Sequence, residues 1–439
     1  MQANRVQTFG NFGTPSVVLW SMKNEKRPSA PTPPTTDIEP TPTSSAILRP
    51  SFRKPRPKHR LRPADIQRFV EKLVGDDYHA MRVLSLGNGL TGVVHAATLG
   101  VHAIGQGLAQ AQGLAPKHAV KQVDRLLSNT GIAIDAFFES WVPFVIGNRE
   151  EVFVALDWTE FDADDHSTIA LYLITSHGRA TPLLWKTVTK SLLEGWRNAH
   201  EDALLAVLAR LRPKKLRRLT VLADRGFGDQ KLYPYLVELK LDFIIRFRAL
   251  VRVEAPDGEA RPAGDWVPEN GRARKIRDAC VTSDRTPVGA VVCVHARGMK
   301  EAWCLATSRA DLTAAHVVKA YAKRFKIEET FRDCKDLRFG MGLKATHIKS
   351  ADRRDRLLML AAMAQALLTL LGAAAEEVGL DRRLKTNTVK RRAHSLFRQG
   401  SFWYGAIPTM RAEWLTPLMA AFGRLVAEQR AFAAVFGVL

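Results

Sequence analysis

Three carboxylates widely separated in the chain, Asp157, Asp224 and Glu328, have the residue type and the local setting for chemistry at phosphorus. Asp157 follows the apolar run Val152–Leu156, and Asp224 follows Leu219–Ala223. Short apolar runs bounded by polar residues read as buried strands. A carboxylate at a strand end sits at the rim of a sheet, where neighbouring strands can bring such groups together. Left unpaired, these carboxylates repel, and one of them keeps its proton. A divalent cation removes that conflict: Mg²⁺ or Mn²⁺ prefers carboxylate oxygen and retains positions for water and phosphate. A pair of ions held this way activates a water or a 3′-hydroxyl and stabilises the leaving oxygen of an in-line displacement. Any single Asp after a strand is ordinarily a turn or cap residue. The constellation carries the inference.

The third carboxylate belongs to Tyr321–Lys335, a stretch of strong helix formers without Gly or Pro. At about 100° per residue, Tyr321, Arg324, Glu328 and Lys335 fall within an arc of roughly 60°. One helix face thus presents a carboxylate flanked by two cations and a phenol, with Ile327 and Phe331 turned toward a core. Arg324 and Lys335 would hold phosphate or neutralise charge that develops in the transition state. Glu329 lies about 100° further round, off the Arg324–Lys335 face, so Glu328 is the expected ligand. Taken alone, the same stretch would be a charged surface helix with ion pairs such as Glu328–Arg332.

Composition says what partner such chemistry has. The 439 residues suffice for two or three domains. Lys and Arg number 65 against 44 Asp and Glu, an excess of +21 that points to a polyanion, nucleic acid first. An acidic membrane surface would call for an amphipathic anchor or a lipidation signal, and the sequence offers neither. The four cysteines show no CxxC spacing, and none of the twelve histidines stands at zinc-finger spacing. Reduced, structural thiols in a cytoplasmic protein are expected, with no secretory pattern at the N-terminus. Leu357–Ala375 approaches membrane-spanning length. It is rich in Ala and flanked by charge, so a buried helix fits better.

The elements that must position the carboxylates follow in chain order. Residues 1–63 are Pro-rich, then basic, and should be disordered. Residues 64–149 read as a helical, DNA-binding region, in which Lys117, Lys121 and Arg125 form a basic stripe at i, i+4, i+8. The same stripe is also what a plain amphipathic helix shows. Strands at Val152–Leu156, Ile169–Ile174 and Pro182–Val188, a helix over 192–211, a strand at Leu219–Ala223, a helix over 229–240 and a strand at Phe243–Phe247 give the order β-β-β-α-β-α-β. That order implies an α/β fold whose mixed sheet is ribonuclease-H-like, over 150–248 and 309–342. Glycine-punctuated short strands over 249–308 read as a β-rich insertion, and 343–439 as a C-terminal helical region.

The spacing Y-x2-R-x3-E-x6-K at Tyr321, Arg324, Glu328 and Lys335 resembles the signature of DDE transposases of the insertion-sequence-four family. Asp157-Trp158-Thr159 and Asp224-Arg225-Gly226-Phe227 resemble that family's first and second aspartate motifs, and Trp303–Ser308 resembles the end of its β insertion. The resemblance covers about residues 115–400. It implies a bacterial transposase, with Asp157, Asp224 and Glu328 as ligands of Mg²⁺ or Mn²⁺, two ions in all. Such enzymes cut double-stranded DNA at terminal inverted repeats and join the 3′-hydroxyl to target DNA, often through a hairpin. Trp303 matches the tryptophan that stacks on a flipped base, and Tyr321, Arg324 and Lys335 match positions that grip phosphate. A homodimer is implied, because two ends must be held together. The long N-terminus departs from the family pattern. Lys390–Arg398 resembles a basic DNA-contacting segment, although a solvated helix has the same composition. The competing readings are a nuclease with the same core but no strand transfer, and an idle descendant that only binds DNA. Three metal-spaced acids argue against the last.

Overall fold

A computed structural model describes residues 61–338 and 340–428. The expected disordered tail lies outside these residues up to position 60. Five helices come first: α1 (Pro63–Val74), α2 (Ala80–Ala96), α3 (Val101–Gln112), α4 (Pro116–Ser128) and α5 (Ile134–Ile146). Pro63 opens α1, where its missing N–H costs nothing, and the Asp65 carboxylate accepts the Arg62 backbone N–H at 2.8 Å. Ile66, Phe69, Val70 and Leu73 then form the buried stripe of an amphipathic helix. In α4, Ala119, Val123, Leu126 and Leu127 face inward, while Lys117, Lys121 and Arg125 are exposed.

The central sheet follows: β1 (Glu151–Phe161), β2 (His166–Ile174), β3 (Ala180–Thr189), helix α6 (Arg197–Arg210), β4 (Arg218–Ala223), helix α7 (Leu232–Glu238) and β5 (Asp242–Phe247). β1, β2 and β3 form an antiparallel meander, whereas β4 runs parallel to β1 and β5 parallel to β4. All seven expected elements are present, with α6 and α7 shorter than the apolar patterns implied. β1 is longer: its pairing with β2 continues from Asp157↔Ala170 to Phe161↔His166. Its pairing with β4 stops at Leu156↔Ala223. Asp157 therefore lies inside a strand, at the point where that strand loses its second neighbour.

The next segment contains β6 (Arg252–Glu254), β7 (Ala260–Pro262), β8 (Arg274–Arg277), β9 (Cys280–Val281), β10 (Thr286–Pro287), β11 (Ala290–Val294) and β12 (Trp303–Thr307). It is β-rich, as its glycines suggested, but it is not set apart from the core. β12, β11 and β8 extend the central sheet beyond β5, giving the order β3-β2-β1-β4-β5-β12-β11-β8. β10, β9, β6 and β7 form a small second sheet. Cys293 and Cys304 face each other across β11 and β12 as buried free thiols.

The remaining helices are α8 (Ala314–Ala322), α9 (Lys326–Lys335), α10 (Ala351–Glu377), α11 (Leu396–Ala406) and α12 (Ala412–Glu428). The single helix expected over 321–335 is interrupted by a 3₁₀ turn at Lys323–Phe325. That tightened turn breaks the 3.6-residue repeat on which the common face was reckoned. Of the basic segment Lys390–Arg398, residues 390–395 are irregular and the rest opens α11, and Arg392 is tied to Glu376 at 2.6 Å. Among the described residues α10 alone is long and apolar enough to cross a membrane, and 78% of its most apolar stretch is buried. It is the central helix of the core, touching α2, α4, α11, α12 and β3. One continuous apolar cluster runs from α1 through the sheet to α12, so the N-terminal helices are not a separate body.

Asp355 joins α10 to β3 by accepting the Thr187 backbone N–H at 3.0 and 3.3 Å. Burial pushes its carboxyl up to about 7, against the pull of the Thr187 hydrogen bonds. The folded chain thus keeps a proton that the unfolded chain releases near its ordinary value of 3.8. Stability falls as pH rises through that window, by at most about 4 kcal/mol from this group. Asp355→Asn keeps an acceptor for Thr187 and removes the titration. Thermal unfolding between pH 5 and 7.5 should show a smaller fall in the variant than in the wild type.

Candidate active site

The register of β1 and β4 creates the site. Leu156 pairs with Ala223, so the next residues, Asp157 and Asp224, stand side by side where the parallel pairing of β1 with β4 ends. This is the rim at which open α/β sheets place their ligands. The Asp157 carboxylate accepts the Trp158 backbone N–H at 2.9 Å, and Asp224 accepts from Gly226 N at 2.8 Å in the turn that follows β4. Both side chains are half-buried.

α9 supplies the third carboxylate. Arg324, in the 3₁₀ turn, places Nη1 3.1 Å from Asp157 Oδ2 and Nη2 2.9 Å from Glu328 Oε1. One guanidinium fork therefore joins the strand carboxylate to the helix carboxylate. Arg324 is buried, and its Nε has no hydrogen-bond partner. Glu328 is half exposed on the open side. Burial pushes the Asp157 carboxyl up to about 6; Arg324 opposes this, while Asp224 and Glu328 add to it. Asp157 thus feels both other acids, and among the described residues Arg324, from the 3₁₀ turn before α9, is the cation that pairs with it.

That arrangement bears on a metal. Among the described residues no three His, Cys, Asp or Glu side chains are gathered closely enough to hold an ion. The donor chemistry nevertheless suits a hard divalent cation, being all carboxylate oxygen with mutual repulsion to be relieved. The Arg324 guanidinium stands between Asp157 and Glu328 and supplies the positive charge there.

Glu329 points elsewhere. It meets Arg332 at 3.2 Å and Arg179 at 3.5 Å, so the i,i+4 pair Glu328–Arg332 is replaced by Arg324–Glu328 and Glu329–Arg332. Tyr321 is only 1% exposed, packed in the small core under β5, β11 and β12. It cannot meet a phosphate directly from there, and it instead underlies Arg324. Lys335 lies at the far end of α9, donating to Glu160 O at 3.0 Å with its ammonium 4.5 Å from the Phe161 ring. Burial, with Lys344 and Arg354 nearby, lowers it to about 8. The expected single cationic face is thus divided between the carboxylate cluster and the end of β1.

Trp303, half-buried at the start of β12, packs edge-on against Tyr321 at 4.9 Å and stacks on the exposed Phe325 at 6.0 Å. The insertion reaches the site a second time through Glu301, which pairs with Arg246 at 3.0 Å and with Arg225 at 3.2 Å, next to Asp224. Lys117, Lys121 and Arg125 are exposed on α4. α4 is nonetheless anchored to α10 through Asp124–Arg353 at 2.8 Å.

Sequence reasoning missed two supports. Glu201 on α6 accepts from Trp158 Nε1 at 2.7 Å, and the Arg197 guanidinium lies 4.8 Å from the same ring, fixing the residue after Asp157. Arg354, fully buried on α10, hydrogen-bonds His166 Nδ1 at 3.1 Å, pairs with Asp164 and lies 3.9 Å from the Phe161 ring that Lys335 also touches. Neither has a local signal, because each meets its partner only when distant elements pack. The run Arg353–Arg356 was visible, but as a flank of an apolar helix.

Comparison with known proteins adds a likeness over part of the chain. No curated protein matches the chain. Residues 187–367 match the family model described as the transposase DDE domain, a span that holds Asp224 and Glu328 and begins within β3, downstream of Asp157. This part of the chain is similar to a transposase DDE domain, and the similarity supports an enzyme that acts on DNA as a DDE transposase.

Proposed function

We propose that the chain cuts transposon ends and joins the freed 3′-hydroxyl to target DNA, as a cut-and-paste transposase of the insertion-sequence-four type. The observation that carries this is that Arg324 bridges Asp157 and Glu328 at the rim of the sheet, where the strand register places Asp224 beside Asp157. The antiparallel β1-β2-β3 meander beside parallel β4 and β5 supports a ribonuclease-H-like core. The YREK spacing supports the narrower family.

Asp157, Asp224 and Glu328 would hold Mg²⁺ or Mn²⁺, which when bound supplies activation of the attacking oxygen and stabilisation of the leaving one. Arg324 neutralises two of the carboxylates, and its reach makes it the group to meet a phosphate that enters beside them. Tyr321 supports Arg324 from below. Lys335 and the exposed α4 stripe of Lys117, Lys121 and Arg125 contact the DNA backbone further out. Two transposon ends have to be held together, so a homodimer on terminal inverted repeats is the working assembly.

The test is purified protein with DNA bearing the flanking inverted repeats and Mg²⁺ or Mn²⁺. Cleaved ends and joined products are expected. Cleavage without joining would favour a nuclease on the same core, and full activity in Asp157→Ala or Asp224→Ala would sink the ligand assignment. Trp303 and the exposed Phe325 form an aromatic pair beside the site, suited to stacking on an unpaired base. A base–aromatic stack contributes about 1–3 kcal/mol. Trp303→Ala should therefore slow hairpin formation or opening more than it weakens DNA binding, as seen by comparing hairpin products with a gel-shift titration.

A further inference from the structure

Helix α6 touches the chain beside both strand carboxylates. Its Glu201, only 6% exposed, accepts the Trp158 indole N–H at 2.7 Å, and the Arg197 guanidinium lies 4.8 Å from the same ring. Arg197 and Glu201 stand four residues apart on one helix face, so α6 grips the indole at two points. In the same turn of helix, Asn198 donates to Asp229 Oδ2 at 3.0 Å. Asp229 belongs to the connection between β4 and α7 that begins at Asp224, and its other oxygen accepts the Lys231 backbone N–H at 3.1 Å.

The segments that α6 holds are those that orient the two carboxylates. Trp158 supplies the backbone N–H that Asp157 accepts at 2.9 Å, and the connection after β4 supplies the Gly226 N–H that Asp224 accepts at 2.8 Å. The β1–β4 ladder ends at Leu156↔Ala223, one residue short of both aspartates, so its hydrogen bonds stop where the spacing of the carboxylates is set. α6 reaches across that point, with Trp158 gripped on one side and Asp229 on the other.

We propose that Arg197, Asn198 and Glu201 are positioning residues, which tie Trp158 to the Asp224 connection and so fix the separation of Asp157 and Asp224 for a shared divalent cation. This role of α6 depends on the proposed function of the two aspartates as metal ligands. Groups that hold metal ligands from behind change metal affinity by about 10–100-fold when they are lost.

The test is calorimetric titration of Mn²⁺ into the full chain, with DNA cleavage followed in parallel against Mn²⁺ concentration. Trp158→Phe, which loses the indole N–H, and Asn198→Ala, which releases Asp229, should each weaken Mn²⁺ binding by about tenfold and raise the Mn²⁺ needed for half-maximal cleavage to match. Glu201→Leu should do the same, whereas Glu201→Gln keeps an acceptor for the indole and should restore near-wild-type affinity. Asn198 is exposed, so Asn198→Ala keeps the test available where a change at the buried Glu201 fails to fold. Wild-type affinity in either Trp158→Phe or Asn198→Ala, or equal losses in Glu201→Gln and Glu201→Leu, overturns the positioning role alone. A wild-type chain that binds no Mn²⁺ overturns the ligand role of the aspartates, and the positioning role with it.

Discussion

Glu328→Gln is expected to reduce DNA cleavage and joining by on the order of a thousandfold or more, because in the proposed function it removes one of three charges that would hold the metal where the reaction concentrates charge. DNA binding should persist. Glu328 is a half-exposed carboxylate paired with Arg324, so its removal deletes no cationic contact to phosphate. The fold should persist as well, since the buried Arg324 keeps Asp157 at 3.1 Å. Glu329→Gln is the matched control: its carboxylate is held by Arg179 and Arg332 on another face, and near-normal cleavage is expected. Gel-shift titration and a cleavage assay on the same preparations read both quantities. Normal cleavage by the Glu328 variant, or a lost reaction in the Glu329 variant instead, would assign the third carboxylate to the wrong residue.

The second large effect concerns the scaffold. α10 and α11 cross on two facing glycines. A Cβ on Gly372 would come within 1.8 Å of Leu396 O, and one on Gly400 within 1.7 Å of Leu368 O. These obstacles are backbone carbonyls, which cannot rotate aside as a side chain would. Gly372→Val or Gly400→Val must therefore push the helices apart, at a cost of about 3 kcal/mol. Because Arg354 and Asp355 of α10 hold Asp164 and Thr187, the displacement should reach the sheet. Gly405→Ala, one turn along α11, meets nothing within 4 Å. It should instead raise stability by about 0.5–1 kcal/mol through helix propensity. Denaturant unfolding of the three variants would check the opposite signs, and equal stabilities would refute the close-crossing argument.

Local pattern was enough to read the apolar strand runs before Asp157 and Asp224 and the helix that carries Glu328. Val152–Leu156 and Leu219–Ala223 are apolar because both faces of β1 and β4 are covered, and that requirement is written in consecutive residues. The same holds for the apolar body of α10, whose burial follows from length, alanine content and charged flanks. The choice of Asp157, Asp224 and Glu328 as candidates also came from sequence alone, since the end of an apolar run and motif spacing are one-dimensional properties.

Tertiary structure decided what those residues meet. That β4 lies next to β1 in parallel, bringing Asp224 beside Asp157, depends on a pairing between segments more than sixty positions apart. The 3₁₀ turn at Lys323–Phe325 sent Arg324 to two carboxylates, buried Tyr321 and left Lys335 at the end of β1; a regular-helix projection has no means of seeing it. The joining of β8, β11 and β12 to the main sheet, and the buried Arg354 and Glu201 beneath the site, likewise arise only when distant elements pack. Periodicity records which face of a segment is buried, whereas the partner on the other side of that face is a property of the fold.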